Sequence, residues 1–208
     1  MGMTTTQTTA RPAPIMYFTP PVLITQPRIA AGELGQMVTP NQGNRVVEGA
    51  RWIFDNGKFS SKGWTPERYF AALDKHAGTP GCVFAVVPDV VAEASGTNKL
   101  WGKWHLGLMR RGYPTAYVIQ DGATSIPRWC DAIFIGGSDE FKLGREARIL
   151  TALAKRHGKW VHMGRVNSYK RLAYAAEIGC DSADGTFITF KPAENLARVD
   201  EWYRKLAA

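Results

Sequence analysis

Residues 115–122, TAYVIQDG, and residues 131–137, DAIFIGG, share one form: an unbroken apolar run that closes on polar residues and glycine. A strand with one wet face alternates apolar and polar residues, whereas a strand covered on both faces is apolar throughout. Both runs therefore read as strands inside a parallel sheet. Five further runs have the same character: PVLITQ (21–26), RWIFDNG (51–57), CVFAVVPD (82–89), WVHMGRV (160–166) and CDSADG (180–185). An eighth strand is expected within GQMVTP (35–40).

Helical signals separate the runs. Thr65-Pro66-Glu67 supplies an N-cap, a proline at the first helical position and an early acid, with Phe70 and Leu73 following at helical spacing. Leu143, Ala147, Leu150 and Ala154 form one stripe that stops at Gly158. Asn167 or Ser168 opens a helix carrying Leu172 and Ala176, and the last helix turns Leu196, Val199 and Leu206 inward. Strand and helix in repeated alternation give a parallel sheet with right-handed crossovers. The expected fold is α/β: a (β/α)8 TIM-like barrel, small and irregular or incomplete. An open doubly wound sheet is the alternative, but no GxGxxG or GxxxxGK[ST] follows any run.

Composition narrows the function. The 208 residues are 45% hydrophobic and carry a net charge of +8, which suits one domain that meets phosphate, on nucleic acid or on a small ligand. Residues 1–15 are expected to be a flexible tail, because Thr, Gln and Pro bury too little surface to offset ordering, and 16–208 a single domain. The chain start has no apolar signal core, and no run reaches the roughly 20 apolar residues of a membrane span. Cys82, Cys130 and Cys180 are odd in number with no CxxC pair, which points to the reducing cytoplasm and away from a cysteine zinc site.

Polar residues collect where the runs finish: Asp55 and Asn56, Asp89, Gln120 and Asp121, Gly136 and Gly137, His162 to Arg165, and Asp181 to Gly185. In a parallel barrel these ends converge on one face, where the active site lies. No GxSxG elbow is present, and His76, His105, His157 and His162 show no metal spacing. The chemistry implied is that of carboxylates. Two carboxylates flanking a glycosidic bond can break it with a covalent intermediate, one as nucleophile and the other as proton donor.

Six segments, IFDNGKF (53–59), VVPD (86–89), YVIQDG (117–122), FIGGSDE (134–140), HMGRVNS (162–168) and GCDSADG (179–185), occur in the order of motifs in the tRNA-guanine transglycosylase superfamily. The chain resembles that family over roughly residues 50–187, most specifically in Gly179, Asp181 and Asp184 of its Gly-x-Asp-x-x-Asp pattern. The resemblance implies that Asp184 is the nucleophile at C1′ of the target nucleoside and Asp55 the general acid and base. It implies that Asp89, Gln120, Gly136 and Gly137 read the edge of the base. Phe59 and Met163 would cover its faces. Asp181 would anchor its loop or tune its neighbour.

The family's tRNA-modifying members carry a zinc site of three cysteines and a histidine after the nucleophile, whereas no cysteine follows Cys180 here, and Lys58 replaces a motif glycine. The chain is thus most similar to the compact, phage-associated 7-deazaguanine DNA transglycosylases. The expected partners are DNA and a free 7-deazaguanine such as preQ0, without cofactor or metal, in the cytoplasm of a phage host. A DNA base must leave the stack to react, so cations should hold the backbone meanwhile. Lys58, Lys62, Lys142 and Arg165 follow expected strand ends, and Arg45 lies on the NQGNR loop. A minimal tRNA enzyme, a silent nucleic-acid-binding barrel with a partner subunit, a homodimer and an unrelated barrel for a phosphorylated metabolite stay open.

Overall fold

The computed structural model describes residues 15–59 and 63–208. Eight parallel strands close in sequence order into a complete barrel: β1 Met16–Thr19, β2 Gly35–Val38, β3 Trp52–Phe54, β4 Cys82–Val86, β5 Thr115–Ile119, β6 Ala132–Ile135, β7 Trp160–Met163 and β8 Ser182–Asp184. The ring is sealed where β1 meets β8, with Phe18 opposite Asp184. The outer elements are α1 Gln26–Ala30, α2 Pro66–Lys75, α3 Ala94–Met109, α4 Asp139–Leu143, α5 Arg145–Arg156, α6 Tyr169–Glu177 and α7 Pro192–Ala207. The barrel is irregular, because no helix joins β2 to β3 or β5 to β6. Among the described residues no helix is long and apolar enough to cross a membrane.

Alternation along the strands sorts the side chains into two cores. Phe18, Met37, Ile53, Phe84, Val86, Val118 and Ala132 fill the barrel with Phe134 and Trp160. Their neighbours Tyr17, Val38, Phe54, Ile133, Val161 and Met163 face the helices instead. Both faces of β4, β5 and β6 are therefore apolar, which is why those runs are continuous, whereas β7 and β8 turn His162, Ser182 and Asp184 inward.

Two expectations fail. PVLITQ is not a strand: Leu23–Thr25 forms a 3-10 turn that leads into α1, and Leu23 is 84% exposed. Pro20, Pro21 and Pro27 lack the N–H groups that a central strand must donate, and Thr25 Oγ1 folds back onto the Val22 backbone. The first strand is β1, a few residues earlier. The expected tail lies outside the described residues except for Ile15, which is buried in the outer core. The stripe from Leu143 to Ala154 is also interrupted. Gly144 divides α4 from α5 in extended conformation and leaves Leu143 exposed, while Ala147, Leu150 and Ala154 pack inward.

Candidate active site

Asp184 ends β8 and is 6% exposed, on the interior face of the barrel. Its Oδ1 lies 2.8 Å from Nε2 of His162, two residues into β7. Nδ1 of that imidazole lies 2.8 Å from Ser182 Oγ, which accepts the indole N–H of Trp160 at 2.7 Å. The rings of Phe18, Phe84 and Phe134 surround His162, with centroids at 5.9, 5.3 and 4.8 Å. Oδ2 of Asp184 faces the backbone N–H of Arg165 at 3.5 Å. The chain passes close at this point: a Cβ on Gly164 would lie 2.5 Å from the Phe134 ring.

Asp55 follows β3 directly and is half-buried. Its Oδ1 accepts the Gly57 N–H at 2.7 Å. Burial, then the negative charges of Asp184 and Asp89, push its pKa up to about 7 against that hydrogen bond. Asp55 can therefore carry a proton near neutral pH.

Asp89, after β4, is buried and completes a group of three carboxylates. Asn56 Nδ2 donates to its Oδ1 at 2.9 Å and Gln120 Nε2 to its Oδ2 at 3.3 Å. Burial raises its pKa, while those two bonds and the Lys58 charge oppose the rise. The Gln120 amide is otherwise spent on the loop after β4: Oε1 accepts from Ala92 N, and Nε2 donates to Val90 O and Thr97 Oγ1. At 1% exposure, Gln120 shapes this loop instead of presenting a free edge to a ligand.

Gly136 and Gly137 follow β6 on the same face. Gly137 has φ +76°, and a side chain there would meet Gln120 and Asp121. Asp121 is held by Ser138, whose N–H and hydroxyl both donate to it. Arg165, a non-glycine residue at φ +60°, donates to the Gly137 carbonyl, and its guanidinium lies 4.2 Å from the Phe59 ring centroid. Phe59 is 63% exposed and, with Arg165, spans the mouth between the β3 and β7 loops. Lys58 Nζ sits 4.3 Å over Trp64.

Four other candidates fare differently. Met163 faces the helices, because 160, 162 and 164 take the interior side of β7, and so it does not cover a face of the site. Lys142 is buried: its Nζ reaches Gly164 O at 3.3 Å and Asp139 at 3.4 Å, and burial with the nearby Arg165 lowers its pKa. It braces the β7 loop and is not offered to solvent. Arg45 lines a groove with Thr39, Pro40, Lys75, His76 and Thr79 that touches none of the three carboxylates. The β2–β3 connection has no helix, and the Gln36 amide holds it by donating to the Arg45 carbonyl at 3.0 Å and accepting from Val47 N at 2.8 Å. Lys62 lies outside the described residues.

Asp181 works at the other end of β8. Its Oδ1 pairs with Lys155 at 2.5 Å and its Oδ2 accepts from Val161 N at 2.8 Å, so it staples the strand to α5 and β7. The site also contains Asn56, His162 and Ser182, which the sequence places at strand ends without a role, and Trp160, which it does not single out. Among the described residues no cluster of His, Cys, Asp and Glu could hold a metal ion. Two surface grooves, beside α2 and α3 and beside the β2–β3 loop, touch none of the three carboxylates.

No protein-family model matches the sequence, and no curated protein matches it. Solved structures are similar in shape. One described as "Native KDPGal structure" superposes with a TM-score of 0.53 at 13% identity, over 94% of this chain and 97% of that one. A second, a cube-shaped porous cage designed by fusing symmetric oligomeric domains, gives a TM-score of 0.50 at 14% identity, over 93% of this chain and 73% of that one. At such identities the likeness shows the barrel fold alone.

Proposed function

We propose that the chain is a transglycosylase that exchanges guanine in DNA for a free 7-deazaguanine. One observation carries the reading: two carboxylates at strand ends of one barrel mouth are wired differently. Asp55 is pushed up to about 7, and Asp184 Oδ1 lies 2.8 Å from Nε2 of a buried imidazole. That is the division a double displacement requires. Asp184 attacks C1′ while the bond to guanine breaks, and Asp55 gives its proton to the departing base, which leaves neutral. The Asp55 carboxylate then takes the ring N–H proton of the incoming base. That nitrogen attacks C1′, and the bond to Asp184 breaks with its electron pair returning to the carboxylate.

Asp89, fixed by Asn56, supplies acceptors for the donor edge of a guanine-like base, and the Gly136–Gly137 backbone lies on the same face. Phe59 offers an exposed ring for stacking. Lys58, Arg165 and the overall charge of +8 favour a phosphate backbone. The test is to incubate the protein with DNA or tRNA and radiolabelled guanine or preQ0. Label is expected in DNA. Label in tRNA alone replaces the substrate, and label in neither polymer removes the exchange reading.

A further inference from the structure

We infer that Trp160, Ser182 and His162 form a buried clamp that fixes the Asp184 carboxylate, occupying Oδ1 and presenting Oδ2 as the attacking atom. This rests on the transglycosylase reading for its chemical consequence, while the clamp itself stands on the geometry of β7 and β8.

The residues are polar groups placed where polar groups are costly. His162 and Ser182 are 0% exposed inside a barrel otherwise filled by aromatic and aliphatic side chains. An unpartnered polar group there costs roughly 1–3 kcal/mol, so the direction of each bond follows from counting donors and acceptors. The Trp160 indole can only donate, so Ser182 Oγ accepts from it. The serine hydrogen then goes to the remaining partner, His162 Nδ1. An Nδ1 that accepts leaves the imidazole proton on Nε2, aimed at Asp184 Oδ1. One arrangement therefore satisfies the whole chain of bonds. The reverse tautomer leaves the serine hydrogen without an acceptor among these partners and turns a bare Nε2 toward a carboxylate oxygen.

The consequence is a carboxylate with two unlike oxygens. Oδ1 is held by a side-chain N–H, whereas among the described residues Oδ2 has only the long 3.5 Å approach of the Arg165 N–H and is the oxygen left for bond formation. Phe18, Phe84 and Phe134 fix the imidazole plane, so the rotamer of Asp184 is set before a nucleoside arrives. The clamp also acts in the second half-reaction. As the C1′–Oδ2 bond breaks and its electron pair returns to Asp184, the charge spreads to Oδ1, where the Nε2–H already points. His162 touches Asp184 and not the substrate, so it is a positioning residue.

Two measurements on the full chain test this. In protein labelled with 15N-histidine, the resonances lost in His162→Asn identify His162 among the four histidines. The Nε2–H tautomer is expected, and Ser182→Ala should perturb it. An Nδ1–H tautomer, or a tautomer indifferent to Ser182→Ala, overturns the clamp even if no polymer is ever modified. The second measurement is the rate of covalent DNA adduct formation. His162→Leu is expected to lower kcat about 30-fold or more with KM for DNA within about twofold. His162→Gln, which can return an N–H toward Oδ1, should recover most of that loss. Equal losses in the Leu and Gln variants, or an unchanged rate in a folded His162→Leu, refute a positioning role. If His162→Leu does not fold, Ser182→Ala carries the kinetic comparison, and an unchanged rate there counts against the clamp. A wild-type chain that labels neither DNA nor tRNA removes the transglycosylase reading, while the tautomer still decides the clamp.

Discussion

Asp184 ends β8 and Asp55 directly follows β3, with β1 and β2 between those strands in the ring, and their surroundings treat them in opposite ways. Asp184 lies 2.8 Å from Nε2 of a buried imidazole that three phenylalanine rings surround. Asp55 receives one backbone N–H, from Gly57, and lies in the field of two other carboxylates. The same functional group thus becomes a held acceptor in one place and a proton carrier in the other. What separates them is the partner each strand end supplies.

The largest expected effects come from removing each member of the pair. Asp184→Asn should abolish the covalent DNA adduct on a denaturing gel, because an amide cannot form the ester to C1′. Asp55→Asn should still bind DNA but form the adduct about 10²–10⁴-fold more slowly, the usual contribution of a positioned acid. An adduct that persists in Asp184→Asn, or equal trapping in Asp55→Asn and wild type, would erase the proposed difference in role.

How much of this was legible beforehand depended on what each residue needed. Asp55 and Asp184 could be found because each follows an apolar run, and a run that ends in a carboxylate marks the mouth of a parallel barrel. The clamp could not. It requires knowing that His162 stands beside Ser182 across two strands, and register is not visible within either segment. Met163 was misplaced because matching a motif ignores alternation, which sends 163 outward when 162 points inward. β1 was missed because MYFT is short and the neighbouring PVLITQ is richer in strand formers, although its prolines forbid a central strand. α3 gave a weak helical signal because Gly96, Gly102 and Gly107 interrupt it.

The raised pKa of Asp55 sharpens the comparison through pH. Below about 7 Asp55 keeps its proton, so adduct formation should be fastest there and fall as pH rises through that value. Capture of the incoming base needs the carboxylate and should run the other way, giving complete exchange a maximum near neutrality. Stability follows the same proton. Between the unfolded carboxyl value near 4 and the folded value near 7, the native state binds more protons, so stability is lost as pH rises across that window. Asp55→Asn removes this loss. It should melt like wild type near pH 4 and be more stable by about 2 kcal/mol at pH 8, allowing for solvent at a half-buried site. Thermal unfolding at the two pH values measures the difference.

The smallest effect tests whether the three carboxylates share one field. Asp184 raises the pKa of Asp55 more than Asp89 does, and Asp89 is itself tempered by Asn56, Gln120 and the charge of Lys58. Asp184→Asn should therefore lower the Asp55 value from about 7 by about one unit. Asp89→Asn should lower it by less, with the same sign. Carbon-13 titration of the Asp55 carboxyl reads both shifts without any substrate. The ranking matters more than the sizes. If Asp89→Asn moves Asp55 further than Asp184→Asn does, the partner that keeps Asp55 protonated is the base-facing carboxylate and not the nucleophile. Departure of the base, which breaks its contact with Asp89, would then control when Asp55 releases its proton. If the ranking holds, bonding of Asp184 to C1′ removes the larger charge, and Asp55 becomes a stronger acid at the step where its proton is given.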